Sequence, residues 1–180
     1  MVMKTLIVCA SKYGSTKVIG EWIAERLGFD CFVTDVKGSP DPDGFDLLIL
    51  GSGIYEDRVL PELSEFIDKN IKILEEKKKI IFGVCLDTNG FYVNGKIGGG
   101  WEYIRPIIEK FQNPPIHAGL LHGEINPSKL TPDDEKRLMI FYNKILRRDY
   151  TSVPYRTNMN KEEAWNFAEK IREKLAGKIY

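Results

Sequence analysis

Six residues, Ser11, Lys12, Tyr13, Gly14, Ser15 and Thr16, put three short hydroxyls, one phenol, one ammonium and one glycine into a single short turn. The turn follows the apolar run TLIVCA and precedes a helical pattern. Backbone N–H groups at a helix start have no intrahelical partner, and the helix dipole favours an anion there. Hydroxyl side chains add donors, Lys12 adds charge, and Gly14 can take a backbone conformation denied to most residues. A phosphate monoester suits this chemistry, and a capped turn without a ligand suits it as well, because Ser and Thr are good caps. Neither GxxxxGK[ST] nor GxGxxG is present, so the turn is not a nucleotide loop of those kinds.

Two further stretches carry matching chemistry. Residues 51–59, GSGIYEDRV, combine glycines that permit close backbone approach with Tyr55, whose ring could flank a flat apolar group or belong to a plain loop. Residues 87–100, DTNGFYVNGKIGGG, open on Asp87 and Thr88 and are rich in glycine, which suits a mobile loop over a site or a surface excursion. No His or Cys within the three stretches has an acid–base partner beside it in sequence, so no nucleophilic triad is expected. A planar, phosphorylated cofactor that brings its own reactivity fits better.

The elements that must hold these stretches alternate. Continuously apolar runs at 5–10, 31–36, 45–50, 79–86 and 115–121 read as strands buried on both faces. Helical spacing recurs at 18–27, closed by Gly28, then from Pro61, at 101–111 and at 161–176. Such alternation predicts βαβ units and a parallel sheet in the doubly wound order 2-1-3-4-5. In that order the loops after strands one, three and four meet at the carboxyl edge of the sheet. After strand five comes an insertion of about 123–160, with a helix near 133–148, inside a single domain spanning 1–180.

The bulk composition narrows the class. Of the 180 residues 43% are hydrophobic and 29% charged, as in globular proteins, and 26 basic residues balance 26 acidic ones, so net charge names no partner. No apolar run is long enough to span a bilayer and no signal-peptide pattern is seen, which points to the cytoplasm. Cys9, Cys31 and Cys85 are scattered through apolar runs and read as reduced, buried thiols. His117 and His122, five apart on a strand, should face opposite sides, which argues against a metal site.

Residues 11–16 match every fixed position of the flavodoxin pattern: Ser or Thr, any residue, Thr or Tyr, Gly, any residue, Thr. Over roughly residues 4–122 the chain resembles the flavodoxin family. That resemblance implies a flavodoxin-like three-layer α/β sandwich that holds FMN without a covalent bond. It assigns the FMN phosphate to 11–16, one side of the flavin ring to Ser52, Gly53, Ile54 and Tyr55, and the other side to Leu86, Asp87 and Thr88. The length, the start, the insertion helix KRLMIFYNKILRR and the ending EEAWNFAEKI are similar to the flavodoxin-like protoporphyrinogen dehydrogenase group. This narrower resemblance implies electron transfer from a porphyrinogen to a quinone. The partners expected are therefore a redox protein, a quinone or a small-molecule substrate. A binding or interaction module that keeps the fold without redox turnover is the alternative.

Between residues 136 and 156 six basic residues face one acid, Asp149, a local excess of five positive charges. The stretch also holds more large apolar residues than one packed helical face needs. It reads as a packed helix with a solvated basic flank, as a dimer contact, or as an anchor to an anionic membrane or tetrapyrrole. The charges are few and no nucleic-acid motif is present, so nucleic acid is not an expected partner.

Overall fold

The first strand forms because its residues have nowhere wet to go: from Leu6 to Cys9 no side chain is exposed. In the computed structural model, which describes residues 3–28, 30–93 and 95–177, this strand (β1, Lys4–Ala10) leads through the 11–16 turn into α1 (Ser15–Leu27). Next come β2 (Asp30–Asp35), β3 (Leu47–Tyr55), β4 (Arg58–Val59) and α2 (Pro61–Glu76), which starts on Pro61, whose missing N–H costs a first turn nothing. Then follow β5 (Lys78–Cys85), β6 (Gly90–Val93), β7 (Lys96–Gly99), α3 (Arg105–Ile108) and β8 (His117–His122). The chain ends with β9 (Glu124–Ile125), α4 (Pro132–Ile140), β10 (Arg156–Thr157) and α5 (Lys161–Leu175).

The five main strands are all parallel, in the order β2-β1-β3-β5-β8, which is the doubly wound order read from the sequence. Side-chain alternation divides the core into two layers around the sheet. Leu6, Val8, Leu48 and Leu50 pack with Leu63, Phe66 and Ile67 of α2. Ile7, Cys9, Leu47 and Ile49 pack with Ile19 and Ile23 of α1 and Phe167 and Ile171 of α5. At Gly51 the strands come so close that an added Cβ would lie 2.1 Å from the Phe82 ring.

Three elements differ from the sequence reading. Strand three does not stop at Gly51: Gly51, Ser52 and Gly53 stay in register with β5, and Ile54 and Tyr55 turn back against β4. Glycine is a poor strand former, but pairing on both sides of β3 overrides that preference. The turn of this hairpin uses Glu56 and Asp57, both at positive φ. The 87–100 stretch, expected as a loop, contains a second hairpin, β6 with β7; Asn94 lies outside the described residues. The helix expected over 101–111 is a 3₁₀ turn (Gly100–Tyr103) followed by the single turn α3. Pro106 accounts for the break, since it has no N–H and its ring clashes with the carbonyl four residues earlier.

Candidate functional site

The 11–16 turn owes its shape to Gly14, which stands at φ 100° at the start of α1. Ser11 Oγ accepts the Gly14 N–H at 2.9 Å and closes the turn from within. No side chain caps α1 and no acidic residue occupies its first turn. The positive end of the helix dipole is therefore not offset by a carboxylate of the helix's own first turn. Thr16 is buried, and its hydroxyl lies 3.4 Å from the point where a Cβ on Gly53 would stand. The first two candidate stretches therefore touch.

Tyr55 folds back over Gly53, so a Cβ on Gly53 would meet its ring at 2.7 Å. Its ring lies 6.0 Å from that of Tyr13, tilted by 53°. Burial, reinforced by Tyr13 and Asp134, pushes the Tyr55 phenol upward, so it stays neutral. Ile54 sits beside it in the hairpin. Ser52 is fully buried; its hydroxyl donates to the Gly53 carbonyl at 2.8 Å and accepts the Leu60 N–H at 2.9 Å. Its side chain thus ties the hairpin to α2 and faces no open space.

The third stretch leaves β5 at Leu86, whose carbonyl accepts Asn158 Nδ2 at 3.1 Å. The Asp87 carboxylate accepts the Asn89 N–H at 2.9 Å, and the Asp87 carbonyl accepts the Cys85 thiol at 3.2 Å. The Thr88 hydroxyl lies 3.2 Å from His122 Nε2. Here the structure adds what the stretches lack by themselves. Glu163 accepts the His122 backbone N–H at 2.9 Å, and its other oxygen lies 2.8 Å from His122 Nδ1. Strand alternation sends His117 toward α5, with its ring 4.9 Å from that of Phe167. His122 also meets α5, through Glu163, so the two histidines expected on opposite sides line one groove. A groove of about 700 Å³ along β8 and α5 is lined by His117, His122, Asn158, Glu163 and Lys170, among others. The hydrogen-bonded set Thr88–His122–Glu163 can hold and pass a proton at the rim of the third stretch.

The insertion also enters the site. Thr131 caps α4, and Asp134 on its first turn pairs with Lys12 Nζ at 2.5 Å and accepts the Tyr13 hydroxyl. The Tyr13 oxygen in turn accepts the Thr131 N–H at 3.2 Å. Burial alone would raise the Asp134 carboxyl, but hydrogen bonds from Lys12 and Tyr13 outweigh it and hold the group below the usual carboxylate range. The same bond holds the Lys12 ammonium above its ordinary value. Arg137, one turn on, pairs with Glu56 of the β3–β4 hairpin. Lys12 is therefore paired within the protein, and the anion-binding capacity of the turn rests on its amides and hydroxyls.

Of the thiols, Cys9 is fully buried, while Cys31 and Cys85 are only half-buried, a correction to the expectation that all three lie in the core. Among the described residues no group of three or more acidic, His or Cys side chains could hold a metal ion.

A family model of the flavodoxin domain matches residues 6–153. Flavodoxin 1 from Bacillus cereus is 21% identical with a TM-score of 0.51, and the match covers 82% of this chain and 99% of that one. A flavo di-iron protein variant from Thermotoga maritima is 14% identical with a TM-score of 0.52, over 96% of this chain and 36% of that one. At these identities the two structures speak for the fold alone. A search of the curated proteins finds no match.

Proposed function

The chain belongs to the flavodoxin domain family, and we propose that it acts as an FMN-dependent electron-transfer flavoprotein. FMN is the cofactor, and when bound it supplies one- and two-electron redox chemistry. The observation that carries this reading is the 11–16 turn: an uncapped helix start, a left-handed Gly14 and three hydroxyls, with no acid in the first turn. These residues suit a phosphate monoester. Ser11, Ser15 and Thr16 would hold it with the amides of 12–16, while Gly14 keeps the turn open. Gly53, Ile54 and Tyr55 would flank one side of the ring system, Leu86, Asp87 and Thr88 the other. Ser52 would act by fixing the hairpin. His122, oriented by Glu163, would exchange protons at the Thr88 rim.

Within this class the finer reading is oxidation of a porphyrinogen with a quinone as acceptor. The insertion supports it, because α4 lies against the cofactor turn through Asp134 and against the β3–β4 hairpin through Arg137. The deciding experiment titrates the purified protein with FMN and with riboflavin, following flavin fluorescence. FMN should bind, with riboflavin at least about tenfold weaker because it lacks the phosphate and its charge-assisted hydrogen bonds. Failure to bind FMN would overturn the flavoprotein reading. Turnover of protoporphyrinogen with a quinone tests the finer one, and an FMN-loaded protein without that activity would refute it alone.

A further inference from the structure

Ten large apolar side chains are exposed among the described residues, and five of them, Ile140, Phe141, Ile145, Leu146 and Tyr155, fall within residues 140–155. Each is between 43% and 65% exposed, too much for a core packed on its own domain. The backbone explains the clustering. Beyond Ile140 the helix continues as a π-turn over Phe141–Ile145, and only Tyr142 turns inward, where it packs on Tyr150 at 5.3 Å. Asn143 ties the returning chain down with two bonds to Tyr150, at 2.8 and 2.9 Å. The remaining side chains have no inward place left.

Basic residues share this surface. Exposed Lys144, Arg147 and Arg148 are interleaved in sequence with exposed Ile140, Phe141, Ile145 and Leu146, so apolar and cationic groups share one short exposed segment. Arg137 is neutralised by Glu56. Lys136, Lys144, Arg147, Arg148 and Arg156 are exposed and form no ion pair among the described residues.

We propose that residues 136–156 form a docking surface for an anionic lipid bilayer. Such a surface accepts both halves of the pattern: apolar side chains enter the headgroup boundary while lysines and arginines meet lipid phosphates. A symmetric contact with a second copy accepts only the first half, since a two-fold axis would set five unpaired cations against the same five. An acidic protein would answer the charge but leave Phe141 and Ile145 without a stated partner. No helix among the described residues is long and apolar enough to cross a membrane, so the proposed contact is one of lying on the surface.

The test uses the full-length protein without added flavin, so its outcome is separate from FMN binding. It is sedimented with vesicles of phosphatidylcholine alone and of equal parts phosphatidylcholine and phosphatidylglycerol. Binding to the anionic vesicles only is expected, with release when salt is raised from about 0.1 to about 1 M and the screening length falls about threefold. Lys144→Gln with Arg148→Gln should weaken binding about 25-fold, about fivefold for each charge. Ile145→Ser, at the most exposed of the five positions, should weaken it without changing the thermal midpoint. Lys69→Gln with Lys72→Gln, on α2, should leave binding unchanged. No sedimentation with anionic vesicles, or equal sedimentation with both kinds, would overturn the proposal. So would a dimer in solution that Ile145→Ser dissociates while vesicle binding is absent.

Discussion

Two glycines at opposite ends of one helix allow the cofactor turn to be tested against its own control. Gly14 at the start of α1 has φ 100°, Gly28 at its end has φ 65°, and at both an added Cβ would meet nothing within 4 Å. Alanine at either position therefore clashes with nothing and pays only for the left-handed backbone, about 1–2 kcal/mol. The stiffer unfolded chain returns about 0.4–1 kcal/mol of that, leaving a net cost of about 1 kcal/mol at each site. In Gly28→Ala the cost has to appear in folding, as a loss of about 2–4 °C in thermal midpoint for a chain of this size. In Gly14→Ala the ligand-free turn can relax to negative φ, so its midpoint should fall less, and the strain returns when a phosphate must be held. FMN affinity should drop about five- to tenfold in Gly14→Ala and stay unchanged in Gly28→Ala. Calorimetry of both variants and flavin-fluorescence titration read the two halves of this balance. Unchanged affinity in Gly14→Ala, or equal weakening in both variants, would refute the assignment of the phosphate to this turn.

Other perturbations probe the frame around the site. Asp134→Asn removes the carboxylate from Lys12 and Tyr13. Because this pair is partly exposed and screened, about 1 kcal/mol should be lost, seen as faster amide exchange over 131–140 and not elsewhere. The Asp134 carboxyl is held low in the folded state, so its contribution is complete above the ordinary carboxylate value of about 3.9 and disappears as pH falls through the lower folded value. Loosening of that segment on the acid side of pH 4, absent in Asp134→Asn, is the expected signature in exchange measurements. Gly51→Ala would press a methyl into the Phe82 ring and should cost about 1–3 kcal/mol by urea unfolding, with intact FMN affinity in whatever folds. Burial lifts the Cys9 and Cys85 thiols to about 12, so neither is a thiolate near neutral pH. Ellman's reagent should leave Cys9 untouched until the protein is denatured and modify Cys85 slowly.

What the sequence made legible is what periodicity carries. The runs around Leu6–Cys9 and Leu47–Leu50 have no polar face, and a strand buried on both sides has to look that way. The turn at 11–16 was legible because helix starts and phosphates need few residue types in a fixed order. The β3–β4 hairpin was hidden because GSGIY has poor strand propensity and pairs only through neighbours distant in sequence. The Glu163–His122–Thr88 set was hidden for a related reason: His122 lies 34 residues from Thr88 and 41 from Glu163, and no local signal marks such a meeting. Asp134 is separated from Tyr13 by 121 residues and sits in an acidic first turn that helix capping already accounts for.

Net charge illustrates how a summed property can conceal a physical one. The chain balances 26 basic against 26 acidic residues, and on that sum no partner is favoured. Residues 136–156 nevertheless carry an excess of five positive charges, so the other 159 residues must carry an excess of five negative ones. A molecule divided in this way is attracted to an anionic surface through one segment and repelled through the remainder, which orients it as well as holding it. The segment that would face the surface is continuous with α4, whose first turn holds Lys12 and Tyr13 of the cofactor turn. The helix and its π-turn run for 14 residues from Pro132 to Ile145, about 20 Å at helical rise. The docking segment would therefore begin within one turn of Asp134, the residue that holds Lys12 and Tyr13 of the turn proposed to hold the FMN phosphate.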